Sequence, residues 1–418
     1  MTELHERLAR LTEEQRRLLE KRVREKGLEK TLAGAAPKGG RATQGDLEAD
    51  PEAWRRRRPS RPLRLSLYFF SDDGSRETGA KYRLALESAR FADENGFEAV
   101  WTPERHFQPF GGLYPNPSVL SAALAAVTSR VGIRAGSVAL PLHHPVRVAE
   151  EWSIVDNLSG GRVAVSFASG WHPDDFVLTP SPYDDRKEVM FRGIETIRRL
   201  WAGETIRLEG TQGREVEVRT LPRPIQPALP VWITTAGNPE TWEWAGSIGA
   251  NVLAALVGYS LEDLSGMVRR YRLARQRAGH DPAAGIVTMV VHTYVGTSEP
   301  EVRDLVREPM TQYLKTYLKQ FQKLLFEEGK ATERDARDVA ALAFEHYFDS
   351  STLLGTQNKC ARILDAVSSQ GVDEVACLID FGLDPDTVLA ALPRLAELRE
   401  HYAAAAVASG EPVHDSAL

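Results

Sequence analysis

Three side chains able to handle protons stand together at Glu104-Arg105-His106, just after the apolar run Ala99-Val-Trp101 and Pro103. An imidazole with a pKa near 6.5 can give or take a proton at neutral pH, and Glu104 or Arg105 is placed to tune it. A proline cannot continue a strand ladder, so the triplet falls on the loop that leaves the strand's carboxyl end. In α/β sheets and barrels, that end is where sites are built. A salt-bridged turn would use the same three residues, so the surrounding chain has to decide between the two.

Further candidates occur at Tyr68-Phe-Phe-Ser71, Gly136-Ser-Val-Ala-Leu-Pro-Leu-His-His144, Phe167-Ala-Ser-Gly-Trp-His-Pro173 and Thr234-Thr-Ala-Gly-Asn-Pro239. Ser137, Ala168, Ser169 and Gly170 are small enough to let a planar ring approach the backbone. The turn Ala236-Gly237-Asn238 opens a helix at Pro239, so its backbone N–H groups read as a phosphate seat, with Asn238 as N-cap in either case. No His-x-His pair is present, and the adjacent His143 and His144 point in two directions, which predicts no metal site. There is no Gly-x-Ser-x-Gly elbow for a nucleophile. Glu150 and Glu151 read as ion-pair partners of Arg147 or Arg162.

These motifs need a frame, and the apolar periodicity supplies it. Strand-like runs cover Leu63 to Phe70, Ala99 to Trp101, Val131 to Leu140, Arg162 to Ala168, Val231 to Thr235, Asn251 to Ala255, Ile286 to Val295 and Val375 to Ile379. Helical spacing separates them, as in Tyr82, Ala85, Leu86, Ala89 and Ala92 before Asn95-Gly96. Eight short apolar strands alternating with helices predict a (β/α)8 TIM barrel, an α/β fold. A dinucleotide-binding sheet would want Gly-x-Gly-x-x-Gly after the first strand, where this chain has Ser71-Asp-Asp-Gly-Ser-Arg76. Two stretches read as insertions: Glu204 to Pro230 as a small hairpin with a Pro-rich exit, and Glu299 to Asp349. The second carries Met310, Tyr313, Leu314, Tyr317, Leu318, Phe321, Leu324 and Leu325 at helical spacing, an apolar stripe for the barrel mouth, its flank or a second subunit.

Residues 1–62 read as an appendage. A short helix follows the capping-box spacing Thr12-Glu-Glu-Gln15, and a Gly/Pro/Arg-rich flexible linker with low packing includes Arg55 to Arg58. The barrel is expected over residues 63–405, with a tail at 406–418. The 418 residues carry a net charge of −6, which offers no basic field for nucleic acid, and no apolar run is long enough for a membrane. Two cysteines outside any Cys-x-x-Cys pair argue against a zinc site or a disulfide framework. Without the apolar core of a signal peptide, a cytoplasmic location is expected.

Five separated motifs, Leu65-Ser-Leu-Tyr-Phe-Phe70, Trp101-Thr-Pro-Glu-Arg-His-Phe107, Pro141-Leu-His-His-Pro-Val-Arg-Val-Ala-Glu-Glu151, Asp156-Asn-Leu-Ser-Gly-Gly-Arg-Val163 and Ser169-Gly-Trp-His-Pro-Asp-Asp-Phe176, stand in one order. Together they resemble the bacterial luciferase-like flavin-dependent monooxygenases over about residues 63 to 400, and most of all the natural-product branch beside polyketide and nonribosomal peptide assembly lines. The N-terminal helix is similar to short helices at the edges of nonribosomal peptide synthetase modules. The resemblance implies a barrel that takes reduced FMN (FMNH2) from a separate flavin reductase and uses O2 as co-substrate. It places Phe69 and Phe70 beside the flavin ring, His106 near the face where a C4a-(hydro)peroxide forms, Ser137, Val138, Ser169 and Gly170 around the ring, and Ala236, Gly237 and Asn238 on the phosphate. It implies a small-molecule or carrier-protein-tethered acyl or aminoacyl substrate, a synthetase module as partner and a homodimer. Two other readings stay open: a deazaflavin (F420)-dependent reductase on the same barrel, and a non-catalytic flavin-binding or docking protein.

Overall fold

Short runs of β-branched and aromatic residues become strands here because the fold covers them on both faces. The protein is described by a computed structural model over residues 50–57, 59, 61–70, 81–107, 113–170, 172–256, 259–325, 344–345 and 347–409. The expected N-terminal helix, the linker before residue 50 and Trp171 lie outside these residues. The strands are β1 (Arg64–Tyr68), β2 (Ala99–Thr102), β3 (Gly132–Ala139), β4 (Val163–Ala168), β5 (Ile206–Glu209), β6 (Glu215–Val218), β7 (Val231–Thr235), β8 (Asn251–Ala255), β9 (Val287–Val295), β10 (Leu353–Gly355) and β11 (Glu374–Leu378). Parallel pairing runs β1-β2-β3-β4-β7-β8-β9-β11 and returns to β1 through Leu65 opposite Val375. This closed (β/α)8 barrel uses all eight expected strands. β5 and β6 form the expected antiparallel hairpin.

The helices are α1 (Arg83–Glu94), α2 (Pro117–Ala126), α3 (Pro145–Ser159), α4 (Arg186–Ala202), α5 (Pro239–Ser247), α6 (Leu261–Arg277), α7 (Glu299–Leu325), α8 (Gln357–Ser369) and α9 (Pro385–Ser409). Their starts follow local chemistry. Asn116 accepts from the Val119 N–H ahead of α2, and Ser260 accepts from the Asp263 N–H ahead of α6. α9 continues past residue 405, so the chain stays helical into the expected tail.

Strand alternation sorts the apolar side chains into two cores. Leu65, Leu67, Val100, Ile133, Val165 and Ile233 pack between sheet and helices, whereas Tyr68, Trp101, Ala164, Trp232, Leu253 and Val290 fill the barrel. A buried ion pair crosses the barrel interior. The Arg134 guanidinium donates to Glu374 at 2.7 Å and to Glu98 at 2.9 Å, between the rings of Trp101 and Trp232. Burial acts to raise the Glu374 carboxyl, but Arg134, Arg64 and the Ser66 hydroxyl outweigh it and hold it low.

One expectation is corrected. Residues 50–57 are not loosely packed: Trp54 is fully buried, its backbone N–H donates to the Asn358 side-chain oxygen at 2.7 Å, and Arg55 and Arg57 pair with Glu397 and Asp365. A fully buried tryptophan, rather than the arginine run, decides the packing there. Of the two cations weighed for Glu150 and Glu151, Arg162 donates instead to the carbonyls of Ser159, Val131, Thr128 and Ala125. Arg147 meets Glu150 and Glu151 as expected. β10, which was not anticipated, adds to the distal end of β9.

Candidate functional site

Glu104 is the centre of the site. Its side chain is buried at the carboxyl end of β2, and one oxygen, Oε1, takes both His106 Nε2 at 2.8 Å and His143 Nε2 at 2.7 Å. The other oxygen, Oε2, accepts the Ala139 N–H at 2.8 Å, which ties the loop after β2 to the end of β3. Burial acts to raise the Glu104 carboxyl, but the two imidazoles and the Ala139 amide overcome it and hold the group below the usual carboxylate range. Burial acts to lower His143, yet the hydrogen bond and charge of Glu104, with Glu151 beyond, raise its pKa above the ordinary imidazole value. An ionised carboxylate only accepts, so both Nε2 atoms carry hydrogen. His106 Nδ1 is then the ring atom left for proton exchange. The nitrogens meet the carboxylate directly, leaving no space for an ion between them.

The Arg105 side chain packs on Phe70. Its guanidinium lies 4.1 Å from the centre of the Phe70 ring, and its backbone N–H donates to Tyr114. Phe70 in turn packs on Tyr313 of α7 at 5.6 Å between ring centres. Met310, Tyr313 and Leu314 join the same core as Tyr68 and Trp101, so the described part of the α7 stripe closes on the barrel interior at its carboxyl end. The side chains expected at Tyr317, Leu318, Phe321, Leu324 and Leu325 lie outside those described. Asp175, in the turn after β4, is also buried. Burial pushes its carboxyl up against the fields of His106, His172 and Arg105.

Phe69 and Val138 belong to the core between sheet and helices, because they fall on the opposite strand face from Phe70. Ser137 and Ser169 are part-buried at the ends of β3 and β4. The Gly136–Ser137 peptide is cis, and the β3–β4 register shifts there. Two participants went unassigned in the sequence: His143, weighed there only as a metal ligand, and Asp175. The signal for His143 was its place at the end of the third strand, next to His106 around the barrel.

A family model described as Luciferase-like monooxygenase matches residues 64–374. The chain belongs to that family. The chain is 25% identical over 342 residues to the oxygenase component of a flavin-dependent trigonelline monooxygenase from Acinetobacter baylyi, covering 80% of this chain and 93% of the relative. It is 28% identical to 4-hydroxyprotoasukamycin monooxygenase from Streptomyces nodosus subsp. asukaensis, over 68% of this chain and 75% of that one. The crystal structure of the monooxygenase RslO1 from Streptomyces bottropensis superposes with a TM-score of 0.65 at 28% identity, covering 81% of this chain and all of the other.

As a luciferase-like monooxygenase the chain is an oxidoreductase, and its cofactor is a flavin. The residues present fit one. Gly136 and Gly170 are set by the protein's own packing, since a Cβ would stand 2.7 Å from the Tyr68 ring at the first and 2.9 Å from Phe176 at the second, where φ is +80°; the observation that bears on a cofactor lies after β7. At the turn after β7, Thr235 Oγ1 is buried without a hydrogen-bond partner among the described residues. The first turn of α5 is already satisfied, since Asn238 takes the Glu240 N–H through its side chain and the Thr241 N–H through its carbonyl. A phosphate at this turn would therefore meet the 236–238 backbone and the Thr235 hydroxyl rather than the helix's own N–H groups.

Proposed function

We propose that this luciferase-like monooxygenase binds FMNH2 at the barrel mouth and, with O2, adds oxygen to an acyl or aminoacyl intermediate of natural-product biosynthesis held as a carrier-protein thioester. One observation carries the reading: a buried Glu104 carboxylate clamps His106 and His143 at the carboxyl end of the barrel and frees His106 Nδ1 for proton exchange. Reduced FMN supplies the oxygen-activating chemistry. Glu104 orients the imidazole, His143 supplies countercharge to Glu104, and Phe70, Tyr313 and Trp101 keep water from the mouth. Ser137, Ser169, Gly170 and the turn at 236–238 bind the cofactor. The trigonelline relative is an oxygenase component, which supports a separate reductase, and the 4-hydroxyprotoasukamycin monooxygenase of Streptomyces nodosus supports a natural-product substrate. A cytoplasmic setting suits that supply of reduced flavin.

The test is a reductase-coupled reaction under heavy-isotope O2 with a panel of carrier-tethered acyl and aminoacyl groups, read by intact-protein mass spectrometry. One labelled oxygen should appear on at least one tethered group. His106→Ala should keep FMN affinity and lose coupled product by about 10²–10⁴-fold, with hydrogen peroxide in its place. No labelled product across the panel argues against the tethered substrate, and an unchanged yield in the variant rejects the role of His106. Anaerobic titration that shows binding of reduced F420 and none of FMNH2 would transfer the barrel to hydride chemistry.

A further inference from the structure

On β9, His292 sits opposite Leu378 of β11 and shares the inward strand face of Val290. It is 2% exposed, and its Nδ1 is 3.0 Å from the Tyr347 hydroxyl. Its Nε2 is buried with no hydrogen-bond partner among the described residues. The rings around it are aromatic: Tyr313 at 4.2 Å, Phe381 at 5.5 Å and Tyr347 at 5.7 Å between centres. Burial lowers its pKa to about 3, so the ring is neutral. A buried polar atom without a partner is uncommon in a folded protein, because the group has given up water and received nothing. Packing alone would be served better by Phe or Leu at this position.

The position of the ring indicates what completes it. Tyr313 links His292 to Phe70, and Phe70 carries the Arg105 guanidinium beside the His106 loop. His292 thus faces the same end of the barrel as the flavin site, one aromatic layer further under α7. We propose that His292 Nε2 receives an uncharged oxygen of the substrate, a hydroxyl or a carbonyl, on an otherwise apolar group that displaces the edge of Tyr313. The proposal rests on the barrel mouth being the substrate side, as argued above. A carboxylate or phosphate is disfavoured, since a neutral ring among aromatic side chains offers no countercharge. A hydroxyl satisfies either tautomer of the imidazole, and a carbonyl satisfies the one with hydrogen on Nε2.

Decanol and its hydrocarbon counterpart undecane serve as probes, titrated into the full-length protein with and without FMN, with the histidine ring nitrogens isotope-labelled for NMR. Decanol should move the His292 Nε2 resonance and undecane should not. By calorimetry, His292→Phe should weaken decanol binding about tenfold and leave FMN affinity unchanged, while His292→Asn, which keeps a hydrogen-bonding group, should retain most of it. The proposal is overturned if decanol fails to bind, binds without moving that resonance, or binds the Phe variant as tightly. Because the decanol arm is also run without flavin, failure of the wild type to bind FMN would count against the proposed function and leave this result separately readable.

Discussion

Glu104 holds two imidazoles on one oxygen, and the pair it makes with His143 has a definite pH range. His143 is raised by Glu104, so its contribution to stability is complete below the ordinary imidazole pKa and is lost as pH rises through the raised value. Glu104 is held low, so its contribution is complete above the ordinary carboxylate range and is lost as pH falls through the lowered value. The two overlap most fully between about pH 4.5 and 6.5. Urea unfolding should therefore show His143→Gln less stable than wild type by about 1–2 kcal/mol near pH 6, with the gap shrinking towards pH 9. A gap that is equal or wider at pH 9 would contradict the ion pair. At this scale the sequence was half legible. His106 stood out because a proline expelled it from a strand, whereas His143, 39 positions beyond Glu104, meets that carboxylate only through the pairing of β2 with β3.

The elements were more legible than the residues, because a period of two and a period near four are written in the chain itself. All eight barrel strands were visible, and so was the hairpin. The side on which each residue falls was harder to read: Phe69 and Phe70 are neighbours of one chemistry, but the pleat sends one to the outer core and the other to the mouth. Burial of Trp54 was hidden as well, since its partners Asn358 and His401 lie in helices far along the chain. The end of β3 gives a direct check on how closely strands approach the site. A methyl group at Gly136 would meet Tyr68 at 2.7 Å and Trp101 at 3.1 Å, both buried in the barrel. Gly136→Ala should cost about 1–3 kcal/mol by denaturant unfolding and weaken FMN binding. Wild-type stability in that variant would mean that the barrel interior yields there more readily than its packing indicates.

The described residues form a barrel with the candidate site at its carboxyl end, with α7 packed over one side of it and residues 50–57 strapped to α8 and α9. Closure brings β1 next to β11 and lets one mouth draw on loops from along the barrel portion of the chain. That is why motifs separated in sequence could suggest a common site before their contacts were known. The most direct measurement of the central claim is a crystal structure of the protein with FMN bound. The flavin ring should lie against Phe70 and the Ser137–Val138 backbone, with His106 beside it and Nδ1 turned to the ring, and the phosphate at the turn of Ala236, Gly237 and Asn238. A flavin bound away from the His106 loop, or not bound at this mouth, would contradict it.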